Sequence, residues 1–220
     1  MKKRILVLAT GDKIGGGSGF QEMVERSRTE PAILDAEIVA VVSSYYECGG
    51  VWEKAQKLGI PFIYFPGPYT AENYQKIFKD SKADYVMCSG WLKKVSGLKE
   101  RLTVNIHPGP LPRFGGEGLY GHRVHEAVIA AYHRGEIKQS AVSIHFVNSE
   151  YDKGAGIVQI PVLIRPDDTA ETLAARVLKV EHNYQSLILN EVIHGRIILN
   201  KLGDVLFENK ELFRFAFINE

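Results

Sequence analysis

The chain has 220 residues, 45% of them hydrophobic and 24% charged, with 27 basic and 26 acidic side chains and a formal net charge of +1. This is globular usage, enough chain to bury roughly 70% of its unfolded surface, and the charge balance argues against a nucleic-acid or membrane-surface partner. Cys48 and Cys88 make neither a disulfide framework nor a metal-ligand spacing, and the apolar run after Lys2-Lys3-Arg4 stops at Ala9, too short for a signal peptide or a membrane span, so a reduced, cytoplasmic protein is expected.

Strands are expected over residues 4–9, 37–43, 62–65, 85–89 and 103–107, with helices over 19–28, 51–58 and 69–78 between them. Near-continuous apolar strands separated by helices are the pattern of a parallel sheet covered on both faces. The expected fold class is therefore α/β, an open doubly wound, mostly parallel sheet with helices on both sides. Beyond Pro112 the sequence predicts a helix over 121–133, an alternating strand over 140–147, a strand over 156–161 and a long helix over 170–190. A small hairpin around Leu202-Gly203-Asp204 is expected from 197–201 and 205–207. Residues 1–220 read as one domain, with 191–220 open to reading as an accessory tail.

Three chemically suggestive segments fall at the carboxyl ends of predicted strands, where open α/β sheets bind ligands. The first is Thr10-Gly11-Asp12-Lys13-Ile14-Gly15-Gly16-Gly17-Ser18-Gly19. Its glycines allow N–H groups to approach an anion, and the following helix adds partial positive charge. Phosphate binding is the functional reading and a plain surface loop the structural one. Neither G-x-G-x-x-G nor Gly-Lys-Ser/Thr can be laid over it, which argues against a nicotinamide or P-loop site. The second segment is Ser89-Gly90-Trp91-Leu92.

The third is Asn105-Ile106-His107-Pro108 at the end of an apolar strand. Asn105 and His107 are two apart, so they share a side. The ordinary imidazole pKa near 6.5 suits proton transfer, and a neighbouring carboxylate would raise it. Asp152, in a turn before Gly154, is the candidate carboxylate. Amide, imidazole and carboxylate together suit acyl transfer to an amine, in which donors aimed at the oxyanion are worth about 3–4 kcal/mol. Each motif alone reads as a strand end or a turn. Their conjunction with Leu111-Pro112 and Ser143-x-His145-x-Val147 points to chemistry. No Gly-x-Ser-x-Gly elbow implies a catalytic serine. His122-x-x-His125 lacks a third ligand, so no metal is expected and the pair reads as helix-surface histidines. Glu181 lies on the helical apolar stripe of Ala174, Val177, Leu178, Tyr184 and Ile188, where a carboxylate wants a partner.

Asn-x-His-Pro with the downstream aspartate resembles the folate-dependent formyltransferases over about residues 4–190, most of all their purine-pathway branch. The resemblance implies 10-formyltetrahydrofolate as co-substrate, 5-phosphoribosylglycinamide as acceptor, and Asn105, His107 and Asp152 as the catalytic set. It places the substrate phosphate at Gly17, Ser18 and Gly19, and the ribose hydroxyls at Glu181 of the Glu181-His182 pair. It puts Leu92, Lys93, Lys94 and Val95 around the pteridine, and Asn105, Asn148, Ser149, Glu150, Tyr151 and Asp152 along the folate pocket. Residues 114–121 resemble a loop variant of some bacterial members, beside the substrate entrance. Two departures stand out. The family's loop, Gly-x-Gly-Ser/Thr-Asn, is about four residues shorter and has Asn where Gly19 stands, and Lys93 replaces an arginine.

The implied partners are small molecules only, with no nucleic acid or membrane, in a monomer or homodimer. A sister enzyme acting on another amine, such as an amino-sugar nucleotide, is the alternative enzyme. Methionyl-tRNA formyltransferase and formyltetrahydrofolate hydrolase are disfavoured because their additional domains are not expected here. A non-catalytic folate- or nucleotide-binding module is the alternative from another class.

Overall fold

The computed structural model describes residues 1–46 and 48–208. Five strands alternate with three helices in the first half: β1 (Lys3–Leu8), α1 (Ser18–Ser27), β2 (Ala36–Ser43), α2 (Gly50–Leu58), β3 (Phe62–Tyr64), α3 (Ala71–Asp80), β4 (Tyr85–Ser89) and β5 (Thr103–His107). Then follow α4 (His122–His133), β6 (Gln139–Phe146), β7 (Gly156–Leu163), α5 (Ala170–Ile193) and a hairpin of β8 (Ile197–Leu199) and β9 (Val205–Phe207). The main sheet runs β3-β2-β1-β4-β5-β6-β7. β1 to β5 are parallel, while β6 runs antiparallel to both β5 and β7.

Side chains alternate across this sheet and build a core on each face. Ile5 and Val7 of β1 join Phe20 and Met23 of α1, Val124 of α4 and Val177 of α5. Leu6 and Leu8 join Val86 and Cys88 of β4 and Tyr74 of α3. This two-sided burial is why the strands read as unbroken apolar runs. In β6 the apparent alternation does not mark a solvent face, because Ser143 and His145 are buried as well.

The differences from the predicted bounds are local. Thr70 caps α3 by accepting a hydrogen bond from Asn73 N, so the helix starts two residues beyond Tyr69. β7 continues past Pro161 because it is the outermost strand, where a missing N–H is tolerated. A 3-10 turn at Glu100–Leu102 leads into β5 without a sequence signal strong enough to predict it. α5 continues to Ile193, and Ile197 of the hairpin is fully buried. The part of the C-terminal tail beyond residue 208 lies outside the described residues.

Candidate active site

A cleft of about 730 Å³ opens at the carboxyl ends of β1, β4 and β5. The loops after β1 and β4 are bonded to each other there: Thr10 N donates to Gly90 O (2.9 Å) and Leu92 N donates to Thr10 Oγ1 (2.8 Å). β2 lies to one side of β1 and β4 to the other, so the cleft sits where the winding reverses. Its walls come from the glycine loop, β5, the 116–122 loop, α4 and α5.

Asn105, His107 and Asp152 converge at one end of it. His107 Nε2–H donates to Phe114 O at 2.7 Å, leaving Nδ1 facing Asp152 Oδ2 at 3.6 Å. Asn105 Nδ2 is 3.0 Å from His145 Nε2 and 3.4 Å from Asp152 Oδ1. His145 Nδ1–H donates to Phe146 O at 2.7 Å, which leaves Nε2 to accept from the asparagine. His145 is thus a member of the cluster that residue-type reasoning did not single out. Its signal was the Ser143-x-His145 alternation in a strand next to β5.

Burial pushes the His107 pKa down, and the Asp152 charge and the Phe114 carbonyl only partly oppose it, so the net value lies below 6.5. This corrects the expectation of a raised value: the Asp152 carboxylate does act upward, but the imidazole is 4% exposed and the carboxylate is not within hydrogen-bond distance, so burial prevails. Burial also pushes the Asp152 carboxyl up, but His145, His107 and the Gly116 N–H prevail and hold it below the usual carboxylate value.

At the other end lies the start of α1. Gly17 is its N-cap in the left-handed region (φ 72°), with no side chain capping the first N–H groups. Those donors point out of the helix with its positive dipole end. The extra loop residues fold away from the cleft. Asp12 Oδ1 accepts from Ile14 N (2.9 Å) and Gly15 N (2.6 Å), and Asp12 O accepts from Gly50 N (3.0 Å). Ile14 is solvent-exposed, while Gly16, Gly17, Ser18 and Gly19 line the cleft.

A small recess of about 40 Å³ adjoins the Asn105–His107–Asp152 cluster, lined by Lys93, Lys94, Val95, Asn105, Asn148, Glu150, Tyr151 and Asp152 among others. Leu92 lines the large cleft instead, and Ser149 lines neither. Asn148 staples the turn, accepting from Glu150 N and donating to Lys153 O. Glu181 stands on the cleft wall of α5 with Ala174, Leu178 and His182. The residue is half-buried, its carboxyl makes no hydrogen bond or ion pair among the described residues, and loss of solvent pushes its pKa up to about 7. His125 is not a surface histidine. It is 5% exposed and faces the cleft, whereas His122 is exposed and reaches Glu171 of α5 at 3.2 Å. Among the described residues no cluster of three or more His, Cys, Asp or Glu could hold a metal ion.

Comparison with known proteins decides the family. The sequence profile described as Formyl transferase matches residues 3–189. The chain belongs to the formyl transferase family. The chloroplastic phosphoribosylglycinamide formyltransferase of Vigna unguiculata is 35% identical, across 96% of this chain and 67% of that protein. The trifunctional purine biosynthetic protein adenosine-3 of Bos taurus is 30% identical, across 96% of this chain and 20% of its own length. The crystal structure of phosphoribosylglycinamide formyltransferase from Anaplasma phagocytophilum superposes with a TM-score of 0.74 at 26% identity, covering 96% of both chains.

The formyl transferase resemblance made Gly19 the odd residue of the loop, and its surroundings explain it. A Cβ at Gly19 would overlap Ser89 Oγ and come 3.0 Å from Gln185 Oε1. Gln185, from α5, donates through Nε2 to Gly19 O (3.0 Å) and Glu22 Oε2 (2.8 Å) and accepts from Ser89 Oγ (3.1 Å). Here a long amide from another helix fills the space beside the loop, and residue 19 must be small. Gln185 was missed because a buried glutamine on a mixed helix carries no pattern in sequence.

Two measurements follow from this geometry. Gly19→Ala is expected to lower stability by about 1–3 kcal/mol through overpacking, and adding Ser89→Ala to recover part of it; strictly additive losses would contradict the contact. An NMR titration of His107 is expected to give a midpoint below 6.5 in the wild type and lower still in Asp152→Asn, because a group favouring imidazolium is removed. A wild-type midpoint above 6.5 would mean that burial does not dominate.

Proposed function

We propose that this protein transfers the formyl group of 10-formyltetrahydrofolate to the amine of 5-phosphoribosylglycinamide, a step of purine biosynthesis. The observation that carries the proposal is one continuous cleft with an open helix N-terminus at one end and Asn105, His107 and Asp152 at the other. A phosphorylated amine whose anion rests on Gly17, Ser18 and Gly19, with ribose hydroxyls against Glu181, would lay its amine at the catalytic end. The recess of Lys93, Lys94, Val95 and the 148–152 turn would take the pteridine. Its outer wall includes the exposed side chains of Lys94 and Glu150, which can move to admit a bicyclic ring.

The acceptor nitrogen attacks the formyl carbon, a new C–N bond forms, and the carbonyl oxygen becomes an oxyanion. Asn105 Nδ2 has two hydrogens. One is held by His145, and the other makes only the long 3.4 Å contact with Asp152, so it can turn to the oxyanion at little cost. His107 Nδ1 is the ring nitrogen not engaged by backbone, and it delivers a proton to the departing folate nitrogen as that C–N bond breaks. Asp152 stabilises the imidazolium before transfer and takes the surplus proton of the acceptor nitrogen through water. The imidazole's lowered pKa makes its protonated form a strong acid once Asp152 has helped create it.

The reading carries with it a cytoplasmic, metal-independent enzyme with small-molecule partners, acting as a monomer or homodimer. It treats the chain as one formyltransferase domain with 191–220 as an accessory tail. Among the described residues no helix is long and apolar enough to cross a membrane.

Turnover of 10-formyltetrahydrofolate with a panel of amines tests the proposal, and a preference for any acceptor other than phosphoribosylglycinamide would overturn it. With the true acceptor, His107→Ala and Asp152→Asn are each expected to lower kcat about 10²–10⁴-fold with folding intact; losses under tenfold in both would remove their assigned roles. Ser18→Asp places a carboxylate at the first turn of α1. It is expected to leave stability unchanged or raise it slightly, while raising the acceptor KM by at least tenfold and sparing the folate KM. An unchanged acceptor KM would move the phosphate elsewhere.

A further inference from the structure

α4 presents its apolar face to the core through Val124, Val128 and Ala131, all fully buried. His125 is buried beside them, yet its ring has no hydrogen-bond partner in the described protein, and its Nδ1 is fully enclosed. A buried imidazole ordinarily has a hydrogen-bond partner, as His145 has in Phe146 O and His107 in Phe114 O. His125 instead lines the cleft. Its titratable neighbours are His107 and His122, and neither bonds it. Burial, followed by those two histidines, pushes its pKa down to about 4, so at neutral pH it is an uncharged ring with one donor and one acceptor nitrogen.

The position of the ring indicates what would complete it. Gly109 sits where an added Cβ would touch both Val124 of α4 and His107 Nε2 (3.4 Å), so this part of α4 abuts the catalytic end of the cleft. Asn105, His107 and Asp152 already bond or face one another there, whereas His125 does not. With Nδ1 enclosed, Nε2 is the nitrogen left to a ligand, and an uncharged ring nitrogen that donates or accepts according to tautomer matches the N–H or carbonyl of a neutral amide better than it matches a phosphate or a folate carboxylate. Resting on the acceptor assigned above, we propose that His125 binds the carboxamide that joins the reacting glycyl amine to the ribose, and so fixes the amine's approach to the formyl carbon. The cleft leaves room for a partner at Nε2 that the protein itself does not provide.

His125→Phe keeps the ring's shape and removes both nitrogens. It is expected to leave Tm unchanged or raise it, because an unpaired buried polar group is replaced by an apolar one. It should raise the KM for phosphoribosylglycinamide at least tenfold with the 10-formyltetrahydrofolate KM within twofold of wild type. His125→Asn, which restores a donor and an acceptor, should recover part of the acceptor affinity. Calorimetric titration of phosphoribosylglycinamide into both variants should reproduce the ranking without turnover. An active wild type with unchanged acceptor KM and affinity in His125→Phe overturns this inference alone. Lowered Tm with unchanged acceptor affinity gives His125 to the fold, with water as its partner, and also overturns it. A wild type that neither binds nor formylates phosphoribosylglycinamide overturns the acceptor reading, and this inference falls with it.

Discussion

Asp152 holds the proposed catalytic end of the cleft together through four neighbours on three different segments. It accepts from Gly116 N at 3.0 Å and from Asn105 Nδ2 at 3.4 Å, and it stands 3.6 Å from His107 Nδ1 and 3.5 Å from His145 Nε2. The residue is a non-glycine in the left-handed region, φ 53°, a conformation that costs of order 1–3 kcal/mol and persists only where the surroundings impose it. Glycines impose it. A Cβ at Gly154 would collide with Phe146 O, and one at Gly115 would come 2.9 Å from Asp152 Cβ. The turn after β6 therefore lies flat on the strand, and the 114–118 loop closes over the carboxylate with its backbone. A carboxylate placed this way lends charge to two imidazoles without forming a tight pair with either.

That arrangement depends on the sheet beneath it. β5 can deliver Asn105 and His107 to one side only because β4 and β6 fix its register on both edges, with Asn105 opposite Cys88 and His145. Because β6 runs antiparallel, its carboxyl end lies beside the start of β5, where Val147 N donates to Thr103 O, and the turn that follows has to fold back over the sheet to bring Asp152 to Asn105 and His107. The cleft thus sits at a reversal of winding for its anion-facing end and at a reversal of strand direction for its catalytic end.

Much of this was legible in sequence, for a definite reason. Strands buried on both faces must be apolar throughout, so β1, β2, β4 and β5 were readable to within a residue. As candidates, Asn105, His107 and Asp152 were readable because polar residues at the ends of such strands and in glycine turns stand out against their surroundings. Illegible were the residues whose roles depend on a partner from elsewhere in the chain. Gln185 gains meaning only beside Gly19 and Ser89, and His125 only once α4 is known to face the cleft. The direction of the His107 shift was misread for a related cause. Proximity of an aspartate can be guessed from a motif, but the degree of burial that outweighs it is a property of the packed fold.

The electrostatic character of the cleft follows from that same burial. His125 is uncharged at neutral pH, the His107 value is depressed, and the Glu181 carboxyl is pushed up to about 7. A fully ionised Glu181 would repel a phosphorylated ligand arriving along the same wall, whereas a partly protonated one can both donate to and accept from hydroxyl groups. Fixed polarity in the cleft is thus carried by dipoles, the α1 N-terminus at one end and the Asn105 amide at the other, with Asp152 the principal charge close to the chemistry. Dipoles already oriented by helix and strand need not reorganise as an oxyanion forms, and water in the same cleft would.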